Sequence, residues 1–103
     1  MVRELTESDF DSFVESNQMA VIDCWAPWCG PCRRMGPIVE ELAADLEGKV
    51  GVAKLNTDEN EAIAYRFSIS AIPTLLVFKD KVLVKTLVGL RPKEDIVAEL
   101  GLQ

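Results

Sequence analysis

The sequence predicts an α/β domain, a mixed β-sheet of about five strands with about four helices on both faces. Three observations predict it. Apolar runs of strand length alternate with amphipathic stretches of helical period, the last two strand-like runs are separated by only three residues, and an amphipathic stretch closes the chain. Alternation of strand and helix favours parallel pairing, whereas a three-residue gap makes the final pair an antiparallel hairpin. At 103 residues, with 49% hydrophobic and 27% charged residues, the chain is sized for one core and is expected to form one domain over residues 1–103.

Residues 2–5 alternate weakly and give a short edge strand. Thr6 supplies a hydroxyl at a helix N-cap with Asp9 three residues on, and Phe10, Phe13 and Val14 follow at helical spacing, so the first helix is expected to open there. Residues 19–25 form an apolar run, β-branched at its centre, that suits a strand covered on both faces; only Asp23 interrupts it. From Cys32 onward Met35, Ile38, Val39, Leu42, Ala43 and Leu46 recur at steps of three and four along a long helix that Gly48 ends. Pro37 lies inside it, where a kink is expected. Residues 50–55 give the next strand, and Asp58 with Glu61 opens a helix carrying Ile63, Ala64 and Phe67. Residues 74–78 and 82–88 form the hairpin around Lys79-Asp80-Lys81. Pro92 fits the first turn of a closing helix whose buried edge is Ile96, Val97 and Leu100.

The formal net charge of -6 disfavours phosphate backbones and anionic membranes, so neither nucleic acid nor membrane is an expected partner. The longest apolar stretches, Ile72 to Phe78 and Met19 to Trp28, fall far short of a membrane span. The N-terminal run Met1-Val2-Arg3-Glu4-Leu5 lacks the charged, apolar and small-residue succession of a signal peptide, which makes the cytoplasm the expected location. Three cysteines are too few for a disulfide-stapled secreted domain. With no histidine and one close cysteine pair, the four ligands of a structural zinc site are lacking, and no metal or cofactor is expected.

Cys29-Gly30-Pro31-Cys32 lies between the buried strand and the long amphipathic helix, a context that gives the spacing meaning. The thiolate is the species that attacks a disulfide, and the free amides and dipole of a helix N-terminus favour negative charge. Cys29 is therefore the expected nucleophile, and Cys32, one turn further in, the resolving thiol. Asp23 is an acid inside an apolar strand, costly unless paired, protonated or useful. Lys54 interrupts a strand too; pairing with an acid and extension of its ammonium to water both remain open. Cys24 alternates with Asp23 and Trp25, so it points to the opposite face with Ile22 and is expected to be an inert core residue, the alternative being a redox or dimer-forming thiol.

The run Val21-Ile22-Asp23-Cys24-Trp25-Ala26-Pro27-Trp28-Cys29-Gly30-Pro31-Cys32 resembles the signature of the thioredoxin family. Further matches are Pro37, the strand Val52-Ala53-Lys54-Leu55-Asn56, Ile72-Pro73-Thr74-Leu75 and Val88-Gly89, so the resemblance covers the whole chain. It implies the thioredoxin fold and a thiol-disulfide oxidoreductase, an electron-transport enzyme of redox homeostasis that reduces protein disulfides through Cys29 and Cys32. Implied too are a buried Asp23 that moves a proton to or from Cys32, Lys54 beside it, and a cis Pro73 facing the cysteines. A docking surface for extended substrate segments is implied around Trp28, Gly30, Pro31, Ile72, Pro73 and Gly89. The implied partners are a thioredoxin reductase and disulfide-containing proteins, with the chain acting as a monomer. The alternative is a binding or assembly subunit of the same fold with incidental redox activity. Within the enzymes, the alternative is a protein oxidant or isomerase, against which Gly-Pro between the cysteines resembles the reducing members. Three departures stand out: Cys24 replaces an aromatic residue, Lys79-Asp80-Lys81 lacks the hairpin glycine, and Gly36 replaces a better helix former.

Overall fold

Ala20, Val21, Ile22, Asp23 and Cys24 are each fully buried, so the strand that holds them has to lie inside a sheet with cover on both sides. The computed structural model, which describes residues 2–102, shows this arrangement. The elements are β1 (Arg3–Leu5), α1 (Phe10–Glu15), β2 (Met19–Trp25), α2 (Gly30–Asp45), β3 (Gly51–Asn56), α3 (Glu61–Arg66), β4 (Thr74–Lys79), β5 (Val82–Val88) and α4 (Lys93–Leu100). The sheet order is β1-β3-β2-β4-β5. β1, β3 and β2 run parallel, β4 is antiparallel to β2, and β5 is antiparallel to β4. The mixed sheet with four helices is the fold that the sequence predicts.

Two cores follow from the alternation of side chains along the strands. On one face Phe10, Phe13 and Val14 of α1 and Ile63 of α3 pack on Ile22, Cys24, Leu55, Leu76 and Phe78. Phe10, Phe67 and Phe78 form a cluster there, with ring centroids 5.4 to 6.0 Å apart. On the other face Met35, Val39 and Leu42 of α2 and Ile96 and Leu100 of α4 pack on Val21, Leu75, Val77 and Leu87. Asp23 and Lys54 belong to this second face, two residues beyond Val21 and Val52 on their strands.

Several boundaries differ from expectation for local reasons. α1 opens at Phe10 instead of Thr6, because the Asp9 carboxylate accepts the Thr6 backbone N–H at 2.7 Å while the Thr6 hydroxyl turns to Ser8 and Asp9. Half of the capping box forms, and it closes a turn ahead of the helix. α3 is capped at Asn60, not Asp58: the Glu7 carboxylate crosses from before α1 to accept the Ala62 N–H at 3.1 Å, and Asn60 Oδ1 accepts the Glu7 N–H at 3.0 Å. Pro92 precedes α4 as its N-cap. α2 continues through Pro37 to Asp45. In the hairpin, Asp80 and Lys81 both adopt positive φ, 51° and 72°, the requirement of a type I′ turn met without glycine.

Candidate active site at the start of α2

β2 ends at Trp25, and the segment 26–29 carries the chain over the sheet's carboxyl end to the first turn of α2. Cys29 is the N-cap. Its Sγ accepts the backbone N–H of Cys32 at 3.2 Å, one of the donors that a helix start leaves unpaired. Pro31 follows at the first turn, where its missing N–H costs nothing and its fixed φ suits the helix. The two sulfurs are joined in a disulfide with Cα atoms 5.2 Å apart. Exposure does not separate the pair, at 4% for Cys29 and 5% for Cys32. Their difference lies in hydrogen bonding, because the amide and helix dipole that favour a thiolate act on Cys29.

Other predicted residues gather around the disulfide. The Ile72 carbonyl oxygen lies 3.8 Å from Cys29 Sγ. The Ile72–Pro73 bond is cis, and the Pro73 carbonyl accepts the Gly89 N–H at 2.8 Å, so the chain at Gly89 is tied to the segment that touches Cys29. Gly89 has a φ of 97°, a conformation that a Cβ would strain. Gly30 and Pro31 are exposed, Ile72 is half-buried, and Pro73 is buried. Trp28 is 67% exposed, yet it is held in place: its Nε1–H donates to Asp58 Oδ2 at 3.0 Å and to Oδ1 at 3.3 Å. Beside it a groove of about 390 Å³ runs between Trp28, Asp58, Glu61 and Ala64 on one side and Ile69 to Ile72 on the other.

Asp23 is fully buried, and neither of its carboxyl oxygens has a hydrogen-bond partner. Loss of solvent raises its pKa from 3.8 to about 7; Lys54, its neighbour in β3, pulls the other way, and Glu4 adds to the rise. The Lys54 ammonium stands 4.7 Å from the Trp25 ring centroid. The lysine therefore acts on Asp23 through space while its head rests on an aromatic face. Cys24 is fully buried on the far side of β2, and burial pushes its thiol above the ordinary range, with the nearby Asp23 charge adding to the effect.

Sequence reasoning missed Asp58 as the anchor of Trp28, having given it to a helix cap, and gave Glu4 and Trp25 no role at the site. The signal for Asp58 was an acid two residues ahead of Asn60, the N-cap position of α3. Nothing local marked Glu4.

A dithiol that closes into a disulfide at a helix N-terminus, on a mixed sheet with an ionisable acid buried in the preceding strand, defines a thiol-disulfide oxidoreductase. Comparison with known proteins narrows the class. The thioredoxin family model matches residues 1–101. The thioredoxins of Staphylococcus aureus strains Mu50, MW2 and COL are each 48% identical over 97 residues, which cover 94% of this chain and 92% of theirs. The chain belongs to the thioredoxin family, and it reduces protein disulfides by dithiol-disulfide exchange through Cys29 and Cys32. Among the described residues, no helix is long and apolar enough to cross a membrane.

Proposed function

We propose that the exchange divides its labour among the residues around the disulfide. In the first step the Cys29 thiolate attacks one sulfur of a substrate disulfide. A bond forms between Cys29 and that sulfur, the substrate bond breaks, and the other substrate sulfur leaves as a thiolate. In the second step Cys32 gives its proton to the ionised Asp23 carboxyl and attacks Cys29 Sγ. The Cys29–Cys32 bond forms, the second substrate thiolate leaves, and two electrons have passed from the dithiol to the substrate. Buried Asp23 suits that role because its pKa of about 7 leaves both protonation states populated at neutral pH. Lys54 tunes the acid electrostatically, which the direction of its effect on Asp23 supports.

Trp28, Gly30, Pro31, Ile72, Pro73 and Gly89 make the surface on which an extended substrate segment docks. The Ile72 carbonyl at Cys29, the tie between Pro73 and Gly89, and the open groove between Trp28 and Ile72 support this reading. A thioredoxin reductase returns the disulfide to the dithiol, so the chain acts as an electron carrier. It works as a monomer of one domain over residues 1–103 in the cytoplasm, with no nucleic acid or membrane partner.

The single observation that carries the proton role is a fully buried carboxyl with both oxygens unpartnered, on the face that α2 covers. The test is Asp23→Asn with the two steps timed separately. The first attack is expected to keep its rate while the release of the mixed disulfide slows near neutral pH. Unchanged release would contradict the role.

A further inference from the structure

Glu4, Lys54 and Asp23 form a row across three parallel strands. The register places Glu4 of β1 opposite Lys54 of β3, and Lys54 opposite Asp23 of β2. Register partners in adjacent strands project from the same face of the sheet. Two residues earlier in each segment, that face carries Val2, Val52 and Val21, all part of the core beneath α2 and α4. The charged row thus runs from the open edge of the sheet to its centre. Exposure falls along it, from exposed Glu4 through half-buried Lys54 to fully buried Asp23.

Trp25, the next residue of β2 on this face, ties the outer two members together. Its Nε1–H donates to Glu4 Oε2 at 3.0 Å, and the Lys54 ammonium lies 4.7 Å from its ring centroid. Lys54 has a carboxyl on each side and an indole face between, and its head rests on the indole that Glu4 holds. The Asp23 oxygens are left without a hydrogen-bond partner.

We propose that Glu4 is a positioning residue for the dithiol chemistry: it fixes Trp25, on whose ring the Lys54 ammonium rests, and places a negative charge at the outer end of the row, so that the lysine is not given over to Asp23. The proposal rests on the reading of Asp23 as the proton carrier. The groups that face Asp23 make Glu4 and Lys54 decisive. Leu75 of β4 lies directly opposite Asp23, and the core on this face, built from Met35 and Val39 of α2, Ile96 and Leu100 of α4 and Val77 of β4, is apolar. Charge reaches the acid from β3 and β1, where Lys54 lowers its pKa and Glu4 raises it. Glu4 therefore acts from the surface on a group that water does not reach.

The test follows the Asp23 carboxyl by carbon NMR against pH in the full chain, for the wild type, Glu4→Gln and Glu4→Lys. Glutamine keeps an oxygen for the Trp25 N–H and removes only the charge, and lysine reverses the charge. The Asp23 midpoint is expected to fall by about half a pH unit in Glu4→Gln and further in Glu4→Lys. The pH midpoint for release of the mixed disulfide should move with it, while the melting temperature of Glu4→Gln stays near that of the wild type. An Asp23 midpoint that stays in place in both variants overturns the proposal. A midpoint that moves while the release profile does not also overturns it, since Glu4 then acts on the acid but not on the reaction. Asp23→Asn run in parallel separates the two readings: a wild-type release profile in that variant refutes the proton role of Asp23, whereas the Glu4 titration is read directly from the carboxyl.

Discussion

Asp23 and Cys24 are neighbours in β2, both fully buried, and they face opposite sides of the same sheet. The core on the Cys24 side is mainly apolar, built around the Phe10, Phe67 and Phe78 rings, and burial raises a thiol that already ionised above neutrality. The Asp23 side carries Lys54, the start of α2 and the disulfide, and the same loss of solvent raises an acid from 3.8 to about 7. One physical effect silences the first group and brings the second into use. The lesson is that burial alone assigns no role. The ordinary pKa of the group and the charges admitted to its face decide whether the shift ends inside or outside the working pH range.

The comparison is broken most directly by truncating the apolar side. Phe10→Ala, which removes a fully buried ring from the aromatic cluster, is expected to cost about 3–5 kcal/mol in denaturant titrations, by the same amount at every pH from 5 to 8. The Asp23 side should respond to pH instead. Folded Asp23 keeps its proton up to about pH 7, while the unfolded chain releases it near 3.8. This contribution is therefore complete below about pH 4, lost progressively as pH rises to about 7, and absent above, a decline of roughly 4 kcal/mol at about 1.4 kcal/mol per unit. Asp23→Asn should flatten that slope; a slope that persists in the variant would mean that another group titrates.

Smaller effects sharpen the contrast. Cys24→Ser places a hydroxyl in the apolar core and should cost about 1–3 kcal/mol without changing the rate of disulfide reduction. Away from both faces, Lys81→Gly relieves a side chain held at a φ of 72° and should add about 0.5–1 kcal/mol, checked by thermal unfolding.

What was legible in the sequence was whatever is encoded over a few neighbouring residues. β2 was readable because burial on both faces leaves an unbroken apolar run, and the cysteine pair was readable because strand, motif and helix adjoin. Asp23 drew attention as the one polar break in that run, and Cys24 followed from alternation. The Thr6 cap formed only by half because the Thr6 hydroxyl turned to the Ser8 and Asp9 side chains instead of a backbone N–H, and Asp58 was misassigned because a carboxylate at a helix start serves a distant indole equally well. The Glu4–Lys54–Asp23 row was invisible for a deeper reason. It depends on three strands from separate parts of the chain being set in one register, which no local pattern specifies.

The central claim is that three cysteines in one small chain have three different fates, set by helix position and by the face of the sheet. Alkylation of the fully reduced native protein, resolved residue by residue by mass spectrometry, tests it. Cys29 should label fast, Cys32 slowly, and Cys24 only after denaturation. Labelling of Cys24 in the folded protein at the rate of Cys29, or of Cys32 ahead of Cys29, would contradict it.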